Sequence, residues 1–177
     1  MQSDLLPVND ERRGLTEAVV CRAVAESRTM RNDLAERDWY IAANLDPKLA
    51  IDLRNQIGGA TAFPAIPDLW APSPEIHWVG FADPSTVPPK IVSRTDFQYP
   101  IRARRLRLEA DVVVESEIDM LGRVRKPRVL TKDLDPSLVF ATLTALLSWS
   151  FEPARSADVP VAVVYNLTTK FKLETEK

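Results

Sequence analysis

The chain has 177 residues, 45% of them hydrophobic and 27% charged, and a formal net charge of −2. That suits one globular domain of ordinary size, or a domain of about 90 residues with an extension. One cysteine and one histidine exclude an intramolecular disulfide framework and a thiolate- or imidazole-built metal cluster, and the near-neutral balance gives no field for nucleic acid. No cofactor site is expected.

The charge is unevenly placed: residues 1–89 carry 8 Lys/Arg against 13 Asp/Glu, and residues 90–177 carry 15 against 12. Two segments of different character are expected. The start, MQSDLLPVNDERR, has neither a basic run nor an apolar one, so it does not read as a signal peptide. Nor does any stretch approach the roughly 20 apolar residues of a membrane helix.

The first segment, residues 1–59, reads as helical. From Leu15 to about Asn44 there is no proline and no glycine, and Leu15, Val19, Val20 and Val24 share a face. Asp46-Pro47 suits a cap and a first-turn proline, opening a second short helix that Gly58-Gly59 closes. A hairpin of helices packing on its own domain explains this pattern better than a partner-binding coiled coil. Residues 60–89 are a proline-rich connector. Residues 60–100 hold 8 of the 14 prolines, which removes backbone donors and forbids a regular helix or central strand. Trp70, Ile76, Trp78 and Phe81 are interleaved there, so part of the connector is expected to lie along a folded surface. His77 reads as surface or packing.

Residues 90–177 are the most patterned. Leu108, Ala110, Val112, Val114, Ser116 and Ile118 alternate with a mostly acidic set, as in a half-buried strand with an acidic outer face. Asp119–Gly122 makes a hairpin connection, with Gly122 free to take positive φ. The following run to Leu130 carries Arg123, Arg125 and Lys126, which antiparallel pairing would bring to the acidic side chains. Pro127 within it marks a bulge or an exposed position. Asp135-Pro136 caps a helix whose one buried face is Leu138, Ala141, Thr142, Ala145, Leu146 and Trp149. Alternation from Val159 to Leu173 makes the last strand the longest one, placed at an edge, with no charge from Val161 to Leu167. The expected fold is α+β: a small two-layer sandwich, helix-strand-strand-helix-strand, with a three-stranded antiparallel sheet. Catalysis is not expected: GxSxG, phosphate-loop and HExxH patterns are missing.

These residues resemble the C-terminal domain of TonB, the energy transducer of Gram-negative envelopes. The resemblance rests on Tyr99-Pro100, Ala103-Arg104, the strand Leu108–Ile118, Gly122-Arg123-Val124, Trp149-Ser150-Phe151-Glu152-Pro153 and the strand Val159–Leu173, in that order over roughly residues 84–177. It implies a periplasmic module that takes up the extended "TonB box" peptide of an outer-membrane receptor by strand addition and couples inner-membrane energy to import. Inner-membrane proton-channel proteins would be the further partners, through an anchor absent from this chain. By position, Gln98, Tyr99 and Pro100 would touch the peptide, and Val161, Val163, Val164, Tyr165, Asn166 and Leu167 would supply the pairing edge. Arg102, with its neighbours at 104, 105 and 107, would steer an acidic partner, although a solvated helix face is the plainer reading of those arginines. The alternative is a self-associating envelope scaffold of TonB/TolA-like fold, including a homodimer through the same edge.

Overall fold

The computed structural model describes residues 7–57, 73, 76–77 and 85–173. Gly58-Gly59, Trp70, Trp78 and Phe81 lie outside the described residues. The chain begins with α1 (Val8–Arg28), α2 (Asn32–Leu45) and α3 (Pro47–Gln56), so the single helix expected over Leu15–Asn44 is two. At the break, Met30 N–H donates to Ser27 O at 3.2 Å and Arg31 N–H to Glu26 O at 2.9 Å, the paired bonds of a helix stop that glycine usually closes. Met30 takes the left-handed φ of 63° in glycine's place, which is why no glycine marks the stop. Asp46 acts as expected. Its carboxylate accepts from Leu49 N–H at 2.9 Å, and Pro47 occupies the first turn of α3, where a missing donor costs nothing.

Next come β1 (Ile76–His77), β2 (Thr86–Val87), β3 (Lys90–Ser93), α4 (Ile101–Arg105), β4 (Ala110–Ile118) and β5 (Val124–Val129). The chain then continues through α5 (Pro136–Leu146), β6 (Ser150–Glu152), β7 (Ala154–Ser156) and β8 (Val159–Phe171). The main sheet runs β2-β7-β8-β4-β5, with β1 added parallel to β8, and β3 and β6 form a separate pair. The α+β class holds. The expected trio β8-β4-β5 forms one end of the sheet, with β5 at its edge; short strands from the connector and from the turn after α5 enlarge it beyond three.

Val112, Val114, Ser116 and Ile118 of β4 are buried, as the alternation predicts. The β4–β5 hairpin turns through Gly122 at φ 76°. A Cβ there would stand 1.8 Å from Phe151 O, because Phe151 N–H bonds Gly122 O at 2.9 Å and pulls the two backbones together. Along the ladder Glu115 faces Arg128 while Glu117 faces Arg125. The pairing is therefore one residue longer on β5, with Lys126 at a positive φ of 46° and Pro127 buried inside the bulge. The charge matching is partial. Arg128 meets Glu115 at 2.6 Å and Lys126 lies 3.6 Å from Glu117, but Arg125 turns to Glu36 of α2 at 2.6 Å.

α5 departs from the single buried face expected of it. Leu138, Val139, Thr142, Leu143, Ala145 and Leu146 are all buried, because α5 packs on β4 and β5 and also against α1 and α2. Helices α1 and α2 thus form a layer outside α5. One continuous core joins Val20, Ala23 and Trp39 to Leu143, Val114 and Phe171. Burying side chains of this size stabilises by about 1.5–3 kcal/mol each.

Candidate functional site

The pairing edge expected to bind a partner lies on β8. On one side β8 is paired with β4 in continuous register from Val163, opposite Ile118, to Phe171, opposite Ala110. Its first residues pair with β7, Ala154 opposite Val161. On the side away from β4, β1 runs parallel to it, with Ile76 opposite Ala162 and His77 opposite Val163. From Val164 to Phe171 no strand among the described residues covers that side. The edge is therefore partly taken: Val161, Ala162 and Val163 are engaged, and Val164, Tyr165, Asn166 and Leu167 begin the open run.

Side chains give this strand a firm backing. Val161 and Val163 are buried, Asn166 is exposed, and Val164, Tyr165 and Leu167 are half-buried. An aromatic run crosses beneath: Phe97 to Trp149 with ring centroids 5.3 Å apart, Trp149 to Phe151 at 6.3 Å, Phe151 to Tyr165 at 5.6 Å. Trp149 Nε1 donates to Thr95 O at 2.9 Å, which ties the strand leading to Tyr99-Pro100 onto the same support.

Tyr99 packs edge-on to Phe171, centroids 5.5 Å apart, and its hydroxyl donates to Leu108 O. Burial, then the Glu109 carboxylate, hold that hydroxyl's pKa above its usual value, against the opposing pull of Arg104. Tyr99 thus meets β8 at Phe171, beyond Leu167 and away from the 161–167 run. Pro100 is the residue before α4, at φ −61° and ψ 140°, and not the first helical residue. Exposed Gln98 and half-buried Pro100 line a groove of about 570 Å³ against Leu15 of α1 and Phe140 and Ala141 of α5. So the structure joins Tyr99 to the end of β8, but turns Gln98 and Pro100 toward the helices.

Arg102 fits neither a steering charge nor a solvated helix face. Its side chain is 8% exposed, with Nε 3.0 Å from Asp135 Oδ2 and a guanidinium nitrogen 3.5 Å from Glu11. Asp135 meanwhile accepts from Ser137 N–H at 3.0 Å to cap α5. Arg102 is a pin between α1, α4 and α5.

Two groups went unmarked in the residue pattern. Glu117, on the face expected to be solvated, is 8% exposed; its carboxylate accepts from Ser73 N–H at 3.0 Å and Ser73 Oγ–H at 2.6 Å. Lys126 Nζ donates to the same Ser73 Oγ at 3.0 Å. Asn44 of α2 bonds β5 at two points, Pro127 O and Val129 N–H. Only a long-range pairing would have disclosed either one. Among the described residues no group of His, Cys, Asp and Glu is arranged to hold a metal, and no helix is long and apolar enough to cross a membrane.

A helix, a strand hairpin, a second helix and a long last strand, with one side open over Val164–Phe171 among the described residues, define a small α+β module. Residues 95–173 match the family model described as Gram-negative bacterial TonB protein C-terminal, and this part of the chain is similar to that family. The protein TonB of Escherichia coli (strain K12) is 30% identical over 88 residues, which is 50% of this chain and 36% of that protein. The chain thus matches about a third of its relative's length.

Proposed function

We propose that the C-terminal unit binds the extended box peptide of an outer-membrane receptor in the periplasm, adding it as a strand to β8, and couples energy from inner-membrane proton-channel proteins to import. One observation carries the reading: the side of β8 away from β4 is unpaired over Val164–Phe171 among the described residues, within a unit similar to the TonB C-terminal family. An unpaired edge presents its N–H and C=O groups to any strand that fits. The half-buried Val164, Tyr165 and Leu167 offer alternate side-chain contacts for specificity. The role is recognition, not catalysis.

The test is amide NMR of the labelled chain titrated with box peptides from the receptors of the same host. Shifts concentrated on Val164–Phe171 and at Tyr99 support the reading. Silence at millimolar peptide, with a well-dispersed spectrum, overturns it and leaves the scaffold alternative, whose edge pairs with itself.

A further inference from the structure

The described part of the connector is placed where a bound peptide would begin. Ile76 and His77 pair in parallel with Ala162 and Val163 on the side of β8 that is open from Val164 onward, and Ile76 N–H closes a turn onto Ser73 O at 3.1 Å. Ser73 is in turn gripped by the buried Glu117 carboxylate through both its N–H and its hydroxyl, and by Lys126. Glu117 sits on β4 opposite Val164 of β8, so the grip lies beside the first open residue of the edge.

We infer that Ile76 and His77, tethered through Ser73 to Glu117 and Lys126, are an internal occupant of the peptide edge that an incoming peptide must displace. The inference rests on the peptide-binding reading and names its regulation. Three features favour exchange over permanent pairing. β1 has two paired residues, and strands that short are marginal by themselves. Pro72 and Pro74 on either side of Ser73 bring no backbone donors to a longer strand. An extended peptide running on past Val164 pairs with groups that β1 leaves open, and so outcompetes it. The fixing contact is a small polar cluster, in which one serine carries three hydrogen bonds.

Two variants of the full chain test this. Ile76→Pro removes the turn donor and the strand; Ser73→Ala releases the Glu117 and Lys126 hydroxyl contacts and leaves β8 untouched. Hydrogen exchange reads occupancy without any peptide. In the parent chain the outward amides of the Ala162–Val163 stretch that β1 covers are expected to be protected, and to exchange about tenfold faster in Ile76→Pro. Titration with a receptor box peptide reads competition: an occupied edge multiplies affinity by the open fraction and so weakens it, and affinity should tighten about tenfold in Ile76→Pro and less in Ser73→Ala. Equal exchange in parent and variant overturns the inference, since β1 would then not cover the edge. Faster exchange with unchanged affinity also overturns it, while leaving peptide binding intact. Faster exchange with no peptide bound by any variant overturns peptide binding itself, and the competition falls with it.

Discussion

Asn44 of α2 completes the outer edge of β5 at Val129. Val129 N–H donates to Asn44 Oδ1 at 2.8 Å, and Asn44 Nδ2 donates to Pro127 O at 2.8 Å. One carboxamide thus plays the part of a neighbouring strand, and its acceptor and donor fit because the bulge at Lys126–Pro127 bends β5 toward α2. Asn44→Ala is expected to lower stability by about 1–3 kcal/mol, the cost of leaving partly buried backbone groups unpaired. It should also open β5 to self-association. Urea unfolding and sedimentation together check it; an unchanged midpoint and mass would show that the pairing does nothing.

Gly122→Ala should be among the most damaging small substitutions. The turn needs a positive φ, and the added methyl would meet Phe151 O at 1.8 Å, so either the hairpin or β6 must move. A loss above about 2 kcal/mol is expected from strain and the broken Phe151–Gly122 bond combined. Substitution at Gly14, where nothing stands within 4 Å of a built Cβ, is the control and should be nearly silent or stabilising.

The Arg102–Asp135 pair separates a structural from a steering role. Both side chains are under a tenth exposed, so Arg102→Met should destabilise by about 3–5 kcal/mol through an uncompensated buried carboxylate. Adding Asp135→Ser keeps a capping oxygen for α5 and removes the orphaned charge, so much of the loss should return. If the double variant binds peptide with the parent's salt dependence, Arg102 steers nothing. A flattened salt dependence would restore it as a partner contact.

Tyr40 predicts an alkaline limit. Its hydroxyl donates to Glu36 Oε1 at 2.7 Å, and burial, then the Glu36 charge, raise its pKa well above the usual 10. With the folded pKa raised, the contribution is whole below about pH 10 and is lost as the unfolded chain ionises above it, at up to about 1.4 kcal/mol per pH unit. Tyr40→Phe should flatten the fall between pH 10 and 12 by one proton's worth, measured as the urea midpoint against pH. An unchanged slope would mean that Tyr40 ionises freely when folded.

Local rules revealed a good share of the fold. The inward set of β4, the Asp46 and Asp135 caps, the bulge at Pro127 and the length of β8 all follow from alternation, cap chemistry and proline's missing donor. What stayed hidden depends on distance. Met30 stops α1 with a glycine-like φ because nothing crowds its exposed side chain, and a methionine gives no warning of that. Glu117 reads as a solvated carboxylate until Ser73, 44 residues away along the chain, is folded against it. Arg102 looks like one of four surface arginines, and only the meeting of α1, α4 and α5 turns it inward. For the candidate edge, periodicity showed a long neutral strand but not which of its two sides β4 would take, nor that the connector would lie on the other.

The enclosure of α5 bears on how this protein can be dissected. The family resemblance starts at residue 95, yet Val139 and Leu143 of α5 share one core with Val20, Ala23 and Trp39 from the helices before it. A fragment cut at that border would bare an apolar helix flank, and the missing surface would have to be found in another copy of itself. Recognition and autonomy thus end at different residues. The whole chain should melt in a single cooperative step, and the helical start is as much a part of the folding unit as β8.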